Sequence, residues 1–337
     1  MKAVLWNGPD QLSVEEVPDP HPEAGEVLLH VKDCGICGSD LHAAKFGLTL
    51  SPGCIMGHEF SGEIAALGKG VSGWREGERV VSLPVHACGA CDRCRAGELS
   101  FCNTMRAMGF GDLPGAYAAY TRVVPQSLVK LPDSVSNRQG ALVEPLAVGL
   151  HAVRQGRVPR GGAVVVMGAG PIGLVTALWA RREGAETVVI SDPVEGRRRL
   201  AESLCADVAV DPKVCDPRDA LVEKAGREPD TIFECVGVPG MIDSAIQMAP
   251  FQGRVVVVGV CMEPDTIMPF LGIMKEAEVK FVLAYTKGEF QETVDALADG
   301  SIQADPIITD VIGLEGVPEA FGALARPSAQ SKILVEF

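Results

Sequence analysis

Ala163-Val-Val-Val-Met167 followed at once by Gly168-Ala-Gly170-Pro171-Ile172-Gly173 is the stretch that decides the fold. A short apolar run rich in valine reads as a strand buried on both faces, and G-x-G-x-x-G directly after it predicts a tight turn into a helix. Each glycine has its own reason. Gly168 permits the turn, Gly170 lets a pyrophosphate approach the backbone, and Gly173 lets the helix close on the strand. Pro171 suits a helix start, where its missing N–H is not needed. Gly168, Gly170, Pro171, Ile172 and Gly173 are therefore candidate dinucleotide contacts. Asp192 lies 19 residues beyond Gly173, at the end of the next apolar run. A carboxylate there can accept both hydroxyls of an adenosine ribose and would repel a 2′-phosphate, which points to NAD. The competing reading has Asp192 capping the next helix while Arg197 or Arg198 collects the phosphate of NADP.

Downstream the same alternation continues through TVVIS, DVAVD, DTIFEC, RVVVVGV and VKFVLAY, with helical segments between. Six such strands predict a doubly wound parallel sheet over residues 149–285. Upstream the pattern differs. Residues 1–148 are rich in glycine, proline and short β-branched runs such as Val27–Val31, Arg79–Leu83 and Tyr120–Val124, the marks of a β-rich domain with many turns. The mixed pattern after Tyr285 predicts that residues 286–337 complete this first domain.

A chain of 337 residues with 11 cysteines and a net charge of −14 sets limits on function. The acidic excess argues against a nucleic-acid or anionic-membrane surface, and Arg197–Arg199 reads as a solvated helix face. No stretch approaches the ~20 apolar residues of a membrane span, and the N-terminus lacks a signal-peptide pattern. A cytoplasmic location is expected, because an odd number of cysteines suits a reducing compartment.

Cys88, Cys91, Cys94 and Cys102 form C-x2-C-x2-C-x7-C, which reads as a closed tetrahedral zinc site of structural type. An iron–sulfur run would have three residues before its last cysteine and a proline after it. Here seven residues precede Cys102, and Asn103 follows it.

A second donor set lies upstream in Cys34-Gly-Ile-Cys37-Gly-Ser39-Asp40-Leu-His42 and Gly57-His58-Glu59. C-x-x-C alone could be a redox pair, and His58 alone a core histidine; the value of each comes from its neighbours. Cys54, Cys205, Cys215, Cys235 and Cys261 read as small buried apolar residues, and His21, His30, His86 and His151 as residues without chemistry. Taken in order, GICGSD, GHE, the four-cysteine segment, VEPLAVG, GAGPIG and Asp192 resemble the zinc-containing medium-chain alcohol dehydrogenases over nearly the whole chain. The resemblance implies a GroES-like catalytic domain beside the Rossmann domain. It also implies two zinc ions per chain and a homodimer or homotetramer. By resemblance Cys37 and His58 hold the catalytic zinc, Ser39 takes the alcohol proton, His42 passes it to water, and Asp40 orients His58. Glu144, where the alcohol dehydrogenases proper have a second cysteine, is similar to the sorbitol, threonine and butanediol branch. In that branch either Glu59 or Glu144 can be the protein ligand.

The implied reaction is hydride transfer between a secondary alcohol or vicinal diol and NAD, with the ketone as product, in a cleft that closes to exclude water. Substrate identity is less constrained. The polyol enzymes carry an aromatic residue after the position of His42 and an arginine before that of Tyr285, where this chain has Ala43 and Ala284. The segment Ala43–Met56 is largely apolar, so Phe46, Leu48 and Tyr285 are candidate pocket walls for a fairly apolar secondary alcohol. A polyol dehydrogenase, an NADP-dependent zinc reductase of aldehydes, and a catalytically silent nucleotide-binding protein are the alternatives.

Overall fold

The computed structural model describes residues 1–337 other than Leu48, Asp112, Ala325 and Pro327. Two compact units result. The first contains Met1–Glu144, Tyr285–Gly300 and Ile308–Phe337, and the second Pro145–Ala284 with Ser301–Ile307. Expected boundaries at 148/149 and 285/286 shift by a few residues, because the continuous helix Val143–Gly156 runs through the first of them without a linker to mark it. Residues 301–307 also depart from the expectation, since they belong to the second unit rather than the first. Among the described residues no helix is long and apolar enough to cross a membrane.

In the second unit six parallel strands run in the spatial order 3-2-1-4-5-6, counted from Ala163–Met167 as the first to Glu278–Phe281 as the sixth. The valines and isoleucines of the four central strands are buried on both faces, the reason these strands read as apolar runs and not as alternating ones. The order reverses between the first and fourth strands, where such sheets bind ligands beyond their carboxyl ends.

The first unit is built on a seven-stranded sheet whose long central strand, Val27–Gly35, pairs antiparallel with Glu59–Leu67, Tyr120–Val123 and the C-terminal strand Lys332–Glu336. Register decides what meets at its end. Gly35 lies opposite Glu59 on one side and Leu334 on the other. A Cβ on Gly35 would sit 2.0 Å from Glu59 Oε2, so only glycine leaves room for that carboxylate. A core including Leu29, Val31, Ile36, Met56, Phe60, Tyr117 and Val335 lies under this end of the sheet.

Candidate active site

Cys37 caps the helix Gly38–Phe46, whose first turn is closed by Asp40 accepting the Cys37 backbone N–H at 3.1 Å. The same carboxylate does two further things. Its Oδ1 lies 3.1 Å from His58 Nδ1, and its Oδ2 accepts the Tyr117 hydroxyl at 2.6 Å. An acceptor on Nδ1 fixes the proton there and leaves the Nε2 lone pair free for a metal. Ser39 Oγ sits at that end of the ring, 3.4 Å from Nε2, and donates to Cys37 Sγ at 3.1 Å.

Cys37, His58 and Glu59 each bring one donor atom into a cluster whose members all lie within 4.8 Å of one another. Thiolate, imidazole and carboxylate in one buried cluster suit zinc, and their charges balance a divalent ion. Glu144 falls outside this group and accepts the Tyr285 hydroxyl at 3.1 Å.

The electrostatics explain why these groups must share one place. Burial alone would raise Asp40, but the His58, Tyr117 and Cys37 contacts outweigh it and hold its carboxyl low. Burial likewise opposes a charged His58, yet Asp40 and Cys37 raise its pKa well above the usual histidine range. Burial pushes Glu144 up to about 7; Glu59 adds to this, while His58, Tyr285 and Lys332 pull the other way.

Lys332 was not among the expected site residues. It is 1% exposed, and its ammonium donates to both Glu59 oxygens at 2.7 and 2.6 Å and to the Ile36 carbonyl at 3.0 Å. No sequence signal marks it, because it stands 273 residues from Glu59 and only strand register brings the two together. Tyr117 and Phe110 lie in loops far along the chain from Asp40 and His58 and carry no sequence signal either; the Phe110 ring tilts against His58 at 4.7 Å.

His42 stacks on Phe46, and burial and then Lys45 lower its pKa, keeping it neutral near pH 7. Among the described residues it shares no hydrogen bond with Ser39. Leu48 lies outside the described residues. Ala43 is 1% exposed and belongs to the core, so an aromatic side chain there would collide with packed neighbours and not reach substrate. Ala284 has a left-handed backbone with φ 53°.

The four cysteines converge as their spacing requires. Cys88 and Cys94 sulfurs are 3.9 Å apart and those of Cys91 and Cys94 3.5 Å, near the ~3.8 Å edge of a tetrahedron with 2.3 Å zinc–sulfur bonds. Cys91 and Cys94 meet because they are three apart at the start of the helix Asp92–Arg95. Backbone N–H groups of Ala90 and Cys91 point at Cys88 Sγ, and that of Cys88 at Cys102 Sγ. All 11 cysteines are free thiols. Of the five read as buried apolar residues only Cys205 is buried; Cys54, Cys215, Cys235 and Cys261 are partly exposed because they sit at element ends and in loops.

In the second unit the glycine motif meets its steric demands. Gly168 has φ +93°, a Cβ on Gly173 would lie 1.9 Å from the Gly168 carbonyl oxygen, and Gly170 has nothing within 4 Å. The backbone is thus open only where a phosphate would approach, just before the helix Pro171–Arg182. Asp192 is buried and already accepts the N–H groups of Ala169 at 3.0 Å and Val194 at 2.8 Å. Arg197 Nη1 lies 3.8 Å from it, and Arg197 Nε is buried without a hydrogen bond.

Residues 23–133 match the alcohol dehydrogenase GroES-like domain model, and residues 171–299 the zinc-binding dehydrogenase model. The chain is 35% identical to the (R,R)-butanediol dehydrogenase of Bacillus subtilis, covering 99% of both chains. It is 30% identical to the sorbitol dehydrogenase of Halalkalibacterium halodurans, again over 99% of both. Among solved structures, a Sinorhizobium meliloti protein crystallised as a zinc-binding dehydrogenase bound to NADP superposes with a TM-score of 0.90 at 32% identity, covering 100% of this chain and 99% of that one.

Proposed function

The chain belongs to the zinc-containing medium-chain alcohol dehydrogenases, and from that membership we propose that it transfers a hydride between a secondary alcohol or vicinal diol and NAD. The observation that carries the reading is the cluster of Cys37, His58 and Glu59 donors, with Asp40 holding the imidazole in the metal-binding tautomer. Zinc would supply Lewis acidity there, lowering the pKa of an alcohol so that its proton can leave near neutral pH while the nicotinamide accepts hydride. Ser39, between the thiolate and the imidazole, is placed to take the proton, and neutral His42 to pass it to water. Glu59 is the direct carboxylate ligand in this reading. Lys332 balances its charge, and Glu144 with Tyr285 serves the substrate side. Cys88, Cys91, Cys94 and Cys102 hold a second, structural zinc.

The butanediol and sorbitol relatives favour an alcohol with a neighbouring hydroxyl. The half-exposed Phe46 supports an apolar wall, and the buried Tyr285 hydroxyl a polar anchor. Absorbance of the reduced cofactor, followed over a panel of simple secondary alcohols, vicinal diols and sugar alcohols with NAD and with NADP, tests the proposal. No turnover with any zinc-loaded preparation would sink it.

NADP is the second reading, favoured by the unpaired Arg197 Nε beside Asp192. The two are separated by Asp192→Ala. That change should raise KM for NAD roughly tenfold and narrow the gap to NADP, since an acceptor and a negative charge vanish together. An enzyme that prefers NADP before mutation refutes the NAD assignment.

A homo-oligomer completes the proposal. The strand Glu278–Phe281 is the outer edge of its sheet, with one side of its backbone unpaired, and Phe281, Leu283, Phe270, Ile273 and Met274 are exposed around it. A second copy of this edge is the occupant that satisfies both the apolar side chains and the open ladder. Sedimentation velocity should give at least twice the 35.5 kDa chain mass; a monomer at micromolar concentration counts against it.

A further inference from the structure

A run of contacts inside the first unit leads from the four-cysteine lobe to Glu144. It begins with the helix Lys287–Ala298, whose N-cap Thr286 forms a full capping box: Thr286 Oγ1 accepts the Glu289 N–H at 3.1 Å, and Glu289 Oε2 accepts the Thr286 N–H at 2.7 Å. Tyr285 before the cap stacks on Phe290 at 5.4 Å, which is the hydrophobic staple of such a start. The Tyr285 ring is therefore held by the helix end, and its hydroxyl reaches Glu144 from wherever that end is placed.

The lobe fixes that placement. Lys287, the first helical residue, donates its backbone N–H to the Gly97 carbonyl at 2.8 Å, which satisfies an amide that no helix can pair internally. Its ammonium donates to the Gln126 carbonyl at 2.7 Å, and the Gln126 amide donates to the Ala87 carbonyl at 2.6 Å. Ala87 directly precedes Cys88, and Gly97 lies between Cys94 and Cys102. One residue thus grips both sides of the cysteine cluster while starting the helix that carries Tyr285.

We infer that Lys287 is a positioning residue that couples the four-cysteine lobe to the Tyr285–Glu144 pair, so that an intact lobe sets the location of an active-site carboxylate. This rests on the reading that Glu144 serves the reaction. A lysine that only secured the lobe would affect stability alike with or without Glu144, whereas a coupling residue acts through it.

The test uses the full-length, zinc-loaded enzyme with Lys287→Met, Lys287→Arg, Glu144→Gln and the double variant of Lys287→Met with Glu144→Gln. Methionine keeps the stem and removes only the ammonium. Lys287→Met should lower kcat roughly five- to tenfold with an unchanged KM for the nicotinamide cofactor, because a displaced catalytic group costs rate and not cofactor affinity. Lys287→Arg should recover part of it, and Lys287→Met should cost nothing further once Glu144→Gln is present. Full activity of Glu144→Gln overturns the role of Glu144 itself. Impaired Glu144→Gln with an unimpaired Lys287→Met, or with losses that multiply in the double variant, overturns the coupling alone. A readout free of turnover is amide hydrogen exchange across Lys287–Phe290 in Cys102→Ala. Faster exchange there than in wild type is expected, and unchanged exchange refutes the link.

Discussion

Cys37→Ser is expected to lower kcat at least about a thousandfold, since loss of Lewis-acid stabilisation worth several kcal/mol costs tenfold for each ~1.4 kcal/mol. The fold should survive. Position 37 is a helix N-cap, where serine is among the best residues, and the backbone N–H that Asp40 accepts is unchanged. Metal analysis should fall from two zincs per chain to about one, because the four-cysteine site is separate and closed. Dinucleotide binding, which we assign to Gly168–Gly173 and Asp192, should be retained. A variant that turns over like wild type would remove Cys37 from the catalytic centre.

Lys332→Met is expected to be the most destabilising single change in the site. It strands the Glu59 carboxylate, 0% exposed, without the ammonium that pairs with it, and breaking a buried pair from one side costs about 3–5 kcal/mol. For a domain of this size that corresponds to a fall in Tm of roughly 10 °C. Adding Glu59→Gln should recover most of the loss, because no buried charge then remains to be balanced. The metal makes the experiment more informative. If Glu59 binds zinc directly, the ion takes over as its cation, so the variant should lose less stability when zinc-loaded than when stripped by a chelator. Equal losses in both states would exclude Glu59 as the direct ligand and assign that place to Glu144.

Much of this site could be read along the chain because its chemistry is local. Cys37, Ser39 and Asp40 lie within one helical turn, His58 and Glu59 are adjacent, and the four cysteines span 15 positions. Ligand spacing of this kind is set by bond lengths and turn geometry, and the sequence records it directly. The valine runs of the parallel sheet are legible for a related reason: burial on both faces of the central strands leaves mostly apolar residues there.

Partners from distant segments left no such record. Tyr117 reaches Asp40 from 77 residues away, and Lys332 reaches Glu59 from 273. Ala43 looked like a pocket position by its place beside His42, but helical phase turns it into the core. The α/β plan, the glycine turn, both donor sets and the residue types suited to a zinc ion and a dinucleotide are legible along the chain, because these follow from local sterics and ligand valence. Which cation neutralises Glu59, which hydroxyl holds Asp40 and which phenol meets Glu144 emerge on folding alone, because strand register, loop path and helix phase bring those groups together and none of these is written in any single segment.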